Sequence, residues 1–277
     1  MKNILYLTDF SANSEHALGY ALELARLFNA RLTLFNGYQI TSSRSSMMVS
    51  VMDRLAEDSI NDLNAIKERI LKDPQYQNLN IIVDSRPGNF ISLIPQLVKK
   101  YHSDLIVMGA KGRSAIAEVF MGSSTMGVIR SSVCPVLAVP ENAINAQERR
   151  FNKIAFAVDL NPIPSKKVIR PLFEIAKVCN SPIEFVNIVK EGESEDDQYR
   201  KEAMENIKIM AHDVSISFHF SNNEDIIDGL SGFINHKKPD LFVMVSKKHT
   251  LFERIFTQSI TNQLSFRTEV PLLVLSD

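Results

Sequence analysis

The chain has 277 residues, 45% of them hydrophobic and 23% charged, which is ordinary globular usage and length enough for two separate cores. Its 31 Lys and Arg against 32 Asp and Glu leave a formal charge of −1, without the basic face that non-specific nucleic-acid binding needs, so nucleic acid is not an expected partner. Two cysteines, Cys134 and Cys179, are too few for a disulfide scaffold and point to buried thiols in a reducing cytoplasm. No stretch approaches the ~20 uncharged apolar residues of a membrane span, and the opening MKNILYLTDF is too short for a signal peptide, so a cytoplasmic location without membrane contact is expected.

Asn3-Ile4-Leu5-Tyr6-Leu7-Thr8 is an apolar run ending in Asp9-Phe10-Ser11, the pattern of a strand buried on both faces and then a polar turn. Ala17, Tyr20, Ala21, Leu24 and Leu27 follow at helical spacing, with Ser14 as the expected N-cap. A second strand spans Arg31–Phe35. A long helical pattern runs from about Ser45 to Leu71, and its Met48 and Met52 suit packing better than ligand binding. Asn80–Val83 forms a third strand, Arg86-Pro87-Gly88 a turn, Ile91–Tyr101 a helix, and Asp104–Met108 a fourth strand running into Gly109. A helix starts near Ser123, and Val133–Val139 is the fifth strand. Strands alternating with helices in this way imply a doubly wound α/β fold with a parallel sheet.

The pattern then repeats. KNILYLTDFS (2–11) matches NKIAFAVDLN (152–161), RLTLFN (31–36) matches PIEFVN (182–187), DLIVMG (104–109) matches DLFVMV (240–245), and PVLAVP (135–140) matches PLLVLS (271–276). The offset falls from 150 to 136 along the chain, so the second copy is shorter by 14 residues, mainly around the methionine-bearing helix. The expected organisation is two five-stranded domains, 1–140 and 152–277, joined by a polar linker at 141–151. Pro135 and Pro271 open the two last strands. Because proline cannot donate to a ladder, it marks a strand start or an edge. Two apolar edges of this kind are expected to pair with each other, antiparallel, about a pseudo-two-fold within the chain.

GAKGRSAIAEVFMGSST (109–125) carries the chemistry. Gly109 ends a buried strand at the carboxyl edge of the sheet, where open α/β sheets bind ligands. Gly109 and Gly112 allow close backbone approach and positive φ. Gly122-Ser123-Ser124-Thr125 opens a helix, whose first amides and dipole attract phosphate, with three hydroxyls to donate and Lys111 and Arg113 to add charge. The spacing is neither a P-loop nor a Rossmann fingerprint. Asp9 at a strand end has a structural use as well, as the cap of a turn.

The pattern G-x2-G-x9-G-[ST] before a helix and a VCPVLAVP-like last strand resembles the universal stress protein family, as does the opening strand ending in aspartate. The resemblance runs over both halves. It implies a five-stranded parallel sheet flanked by helices in each half, and ATP or another adenine nucleotide, with or without Mg, in the first. Leu7, Thr8 and Asp9 would then meet the adenine with Gly37 lining the base, and Met108 and Gly109 would meet the ribose. Lys111, Gly112 and Arg113 would flank the phosphates, which Gly122, Ser123, Ser124 and Thr125 would bind. The family also implies dimerisation through last strands, which the paired halves reproduce in one chain and to which a homodimer can be added. In the second copy Val245, Lys248 and Gln258 replace the three glycines and only Ser259 keeps its type, so that half is expected to lack a phosphate cradle. The expected role is a stress-response regulator whose bound nucleotide alters a surface for an unidentified partner protein. The alternatives are a slow ATPase at the same site and a nucleotide-free interaction module.

Overall fold

The first strands are short apolar runs that only a sheet covered on both faces can bury, and they all join one sheet. The fold is known from a computed structural model, which describes residues 1–38, 48–111, 121–143, 151–160, 163–189, 198–246 and 269–276. The first half contributes β1 (Asn3–Leu7), α1 (Ala12–Phe28), β2 (Arg31–Tyr38), α2 (Met48–Lys72), β3 (Ile81–Pro87), α3 (Phe90–Tyr101), β4 (Leu105–Gly109), α4 (Ser123–Ser131) and β5 (Val136–Val139). The second contributes β6 (Ile154–Ala157), α5 (Lys166–Cys179), β7 (Ile183–Val189), α6 (Gln198–Ala211), β8 (Ile216–Asn222), α7 (Ile226–Lys237), β9 (Leu241–Ser246) and β10 (Leu272–Ser276). Strand order is β3-β2-β1-β4-β5-β10-β9-β6-β7-β8. Its two halves are mirror-ordered, each is parallel throughout, and they meet at the antiparallel β5–β10 pair.

That seam is the edge-to-edge pairing the two proline-led strands call for. Leu137 lies opposite Leu273, Ala138 opposite Leu272 and Val136 opposite Val274. Each proline still serves the ladder through its carbonyl: Ile106 N donates to Pro135 O and Phe242 N to Pro271 O, both at 2.9 Å. Ser276 Oγ adds a bond to Cys134 O across the seam.

Alternation along each strand sends side chains to two cores, one on each face of the sheet. Ile4, Tyr6, Leu32 and Leu34 pack with α1 and α2, whereas Leu5, Leu7 and Phe35 pack with α3 and α4. Both cores run across the seam into the second half, where Phe156 and Phe185 join the first core and Phe242 and Met244 the second. The duplication reaches hydrogen bonds that sequence matching does not display. Asp104 accepts from the backbone of Lys2 and Asn3, and Asp240 accepts from that of Lys153. Asn29 and Asn180 close α1 and α5 in the left-handed conformation.

Some expectations need correction. Ser11, not Ser14, caps α1, and its side chain accepts from Ser14 N. Extended backbone at Ser11 puts the helix start one residue after it, while Ser14 Oγ turns back to Ser11 O. Arg86 and Pro87 are not a turn. They complete β3 beside Gly37 and Tyr38, and the bend comes at Gly88, whose φ is 114°. Cys134 is buried but Cys179 only half-buried. The expectations placed on Gly112, Arg113, Lys248, Gln258 and Ser259, and those on 144–150 of the linker, lie outside the described residues.

Burial pushes the Cys134 thiol up to about 11, with a smaller opposing effect from Ser132. At pH 8 its thiolate fraction is then about one in a thousand. An alkylating reagent at that pH is expected to label Cys179 and to spare Cys134 in the native protein. Equal labelling by mass spectrometry would show that the seam opens readily.

Candidate functional site

The β1–β4 pair is where this sheet reverses its winding, because β1 continues to β2 on one side while β4 and β5 follow on the other. A crevice at the carboxyl ends of two such strands is the usual ligand position in doubly wound sheets. A cleft opens there. Leu7, Thr8 and Asp9 line it from the end of β1, Phe35 and Gly37 from β2, and Met108 and Gly109 from β4. Ser14 of α1, Phe90 of α3, Lys111, and Ser124 and Thr125 of α4 complete the wall.

The turn after β1 is held by its own polar atoms. Phe10 sits at φ 58°, a conformation that costs a bulky residue about 1–2 kcal/mol. Phe10 N donates to Thr8 Oγ1 at 2.9 Å and Ser11 N to Asp9 Oδ1 at 3.1 Å. Asp9 therefore caps the turn, as its structural reading expects, while also lining the cleft. Thr8 Oγ1 lies 3.0 Å from Ser14 Oγ, and Tyr6 OH donates to Ser14 O at 2.6 Å. Burial raises the Tyr6 phenol far above the ordinary tyrosine range, so it remains a donor at any physiological pH.

Below this turn lies a network without a counterpart in the motif reading. Asn36 Nδ2 donates to Thr8 O at 2.7 Å, and Asn36 Oδ1 accepts from Ser59 Oγ, which also meets Ser85 Oγ. The second half keeps the first link, from Asn187 Nδ2 to Val158 O. It loses the rest: Phe220 stands where β3 has Ser85, and Asn187 Oδ1 has no partner among the described residues. Two buried polar side chains, Asn36 and Ser59, and the half-buried Ser85 thus hold one carbonyl beside Asp9 in the first half, against Asn187 alone in the second.

The glycines act by closeness rather than by left-handed backbone. Gly109 is an extended residue of β4, and Gly122 has φ −69°. A Cβ on Gly109 would lie 2.9 Å from Asn13 Nδ2 and 3.2 Å from the Asn13 backbone carbon. One on Gly37 would lie 2.6 Å from Phe90 Cβ. Gly37 is thus fixed by the approach of α3 to β2 as much as by the cleft. At its strand position the second half has Ile188, buried against α7, where Gly229 makes the room. In the second half the close approach is thus reversed, with the glycine on the helix and the side chain on the strand.

Gly122 caps α4 with no side-chain acceptor, whereas α1, α3 and α7 are capped by Ser11, Asn89 and Asp225. Its amide is pinned by Gly122 N to Ala110 O at 2.8 Å. Thr125 is committed elsewhere: it is buried and donates to Gly109 O and Ala110 O, which ties α4 to the end of β4. Ser123 is exposed and Ser124 half-buried, so of the three hydroxyls counted in the motif these two stay outside that tie. Gly122 and Ser123 are not among the residues lining the cleft, but Ser124 beside them is. Phe35, Phe90 and Ser14 were missed by sequence reasoning, because each belongs to an element whose face is known only once the sheet is assembled.

A model of the universal stress protein family matches residues 1–140. A universal stress protein of Methanocaldococcus jannaschii is 27% identical over 156 residues, covering 50% of this chain and 94% of that protein. One of Thermus aquaticus is 27% identical over 146 residues, with 50% and 98% covered. A crystal structure of a universal stress protein from Archaeoglobus fulgidus DSM 4304 has a TM-score of 0.71 at 18% identity, covering 99% of this chain and 98% of its own. At that identity the likeness is one of fold, and it extends over both halves. With a family match over the half that carries the cleft, and a shared fold over the whole length, this chain belongs to the universal stress protein family.

Proposed function

We propose that residues 1–140 form a nucleotide-binding domain for ATP or another adenine nucleotide, and that 141–151 link it to a partner domain, 152–277, without a nucleotide site. The observation carrying this reading is one cleft that joins three features at a switch point: apolar walls, the Asp9 carboxylate, and an α4 N-terminus left without a side-chain cap. Apolar walls at Leu7, Phe35 and Met108 suit a base, and a carboxylate accepts from an exocyclic amino group. Open helix amides and a positive dipole end suit phosphate. Lys111, Gly112 and Arg113 stand for the phosphate side, with Mg as a counter-ion. Nucleotide binding at the 109–125 motif would change a surface read by a regulatory partner. Among the described lining residues Asp9 is the carboxylate, and its Oδ1 already accepts from Ser11 N, so binding rather than turnover is the function proposed.

Titration calorimetry with ATP tests the reading and its asymmetry together. One nucleotide per chain is expected, because Ile188 and Val245 occupy the positions of Gly37 and Gly109 in the second half. A stoichiometry near two would overturn the asymmetry. Absence of binding to any adenine nucleotide, with none released on heating the freshly purified protein, would overturn the assignment.

A further inference from the structure

Asn13 is named by neither the motif nor the cleft lining, yet it sits where α1, β4 and the start of the 109–125 segment meet. It is 5% exposed and lies in the first turn of α1. Its Nδ2 donates to Lys111 O at 2.9 Å. A carbonyl oxygen only accepts, so the amide nitrogen must be the atom that faces it. Asn13 Oδ1 is buried and has no partner among the described residues. The carboxamide is therefore used on one side only, to hold a backbone carbonyl 98 residues away. Gly109 is what makes this possible, since a side chain there would press on the Asn13 amide and on its backbone.

The second half provides the contrast. There α5 begins only at Lys166, and Ile163-Pro164-Ser165 occupies the stretch before it, where α1 already has its first turn. No amide side chain stands in that stretch, Val245 replaces Gly109, and both Ile163 and Val245 pack on the core. Latch and glycine occur together in one half and are replaced by apolar residues together in the other.

We infer that Asn13 is a positioning residue: by holding the Lys111 carbonyl it sets the path by which the chain leaves β4, and with it the phosphate side of the cleft, without touching the nucleotide. The inference rests on the nucleotide-binding reading for its effect on affinity, but not for its effect on the free protein. The Thr8–Asp9 turn at the other end has its own supports in Asn36 and Ser59, so loss of the latch leaves the nucleoside end intact.

The test is Asn13→Leu, which keeps the branched shape and removes the donor, with Asn13→Ser as the smaller variant should leucine fail to fold. Hydrogen exchange is followed in the nucleotide-free protein at Ala110, Gly122 and Met126, and calorimetry is run with ATP and with adenosine. Faster exchange at those amides is expected, with core-strand exchange unchanged. ATP affinity should fall roughly three- to tenfold, the worth of one buried hydrogen bond, while adenosine affinity holds. Equal losses for ATP and adenosine would mean that Asn13 acts on the whole fold or on the nucleoside, and would overturn the inference. Unchanged exchange at all three amides would overturn it also. If the wild-type protein binds neither ligand, the proposed function falls, and the exchange result alone still decides whether Asn13 is a latch.

Discussion

Aspartate at both Leu137 and Leu273 is expected to separate the two halves or unfold the protein. These leucines face each other at the centre of the seam and are 1% and 0% exposed. Each is flanked on its own side of the seam by a valine, Val107 on β4 and Val243 on β9. Truncating one such leucine to alanine costs about 2–5 kcal/mol, and a buried, unpaired carboxylate adds a desolvation cost of several kcal/mol on top. Two such sites meet or exceed a stability of about 5–15 kcal/mol. The opened edges would also be apolar strands without partners, an aggregation hazard. Loss of the thermal transition, or a shift to alkylation of Cys134 at pH 8, would register the opening. Val133→Asp is the control: that side chain is 73% exposed three residues before β5, and a surface exchange of this kind changes stability by about 0.5 kcal/mol or less. A double variant as stable as the wild type would mean that the seam is not what joins the halves.

Gly109→Val should weaken ATP binding about 10- to 100-fold while lowering stability only modestly. Valine is the residue the second half carries at this position, on a strand of the same type. Gly109 is extended, so valine meets no backbone strain, and the whole effect comes from its Cβ, 2.9 Å from Asn13 Nδ2. Either the Asn13 amide leaves Lys111 O or the first turn of α1 moves, at about 1–3 kcal/mol for overpacking. Both responses displace the wall between Asp9 and Lys111. Strain of that size expressed in the bound state corresponds to about 10- to 100-fold in affinity. Calorimetry and a thermal melt on the same sample separate the two effects. Unchanged affinity in a folded variant would remove Gly109 from the site.

Much of the architecture was legible from the chain alone. The short apolar runs bounded by polar turns named the five strands of the first half, helical spacing named its helices, and the four matched blocks named the duplication and four strands of the second half, with β8 left unassigned. Two proline-led apolar strands called for each other because neither could stay at an open edge. These are statements about burial and period, which local sequence carries. The glycines of 109–125 could likewise be read as places of close approach, although the reason at Gly109 is a neighbouring helix and not a left-handed backbone.

The rest depended on residues far apart in sequence. The Asn36–Ser59–Ser85 network draws on β2, α2 and β3, and each member alone is an ordinary polar residue. Phe35 alternates along β2 like any core residue, and only the placement of α3 and β4 puts it in a cleft wall. Asn13 has no signature at all until folding brings Lys111 O to it across 98 residues. The contact of Ile188 with Gly229 in the second half reads the same way, since it joins a strand and a helix 41 residues apart. Period and composition determine which face of an element is buried. What that face meets depends on the order and register of the strands, and here that order brought β1, β2 and β4 to one edge with α4 pointing at it.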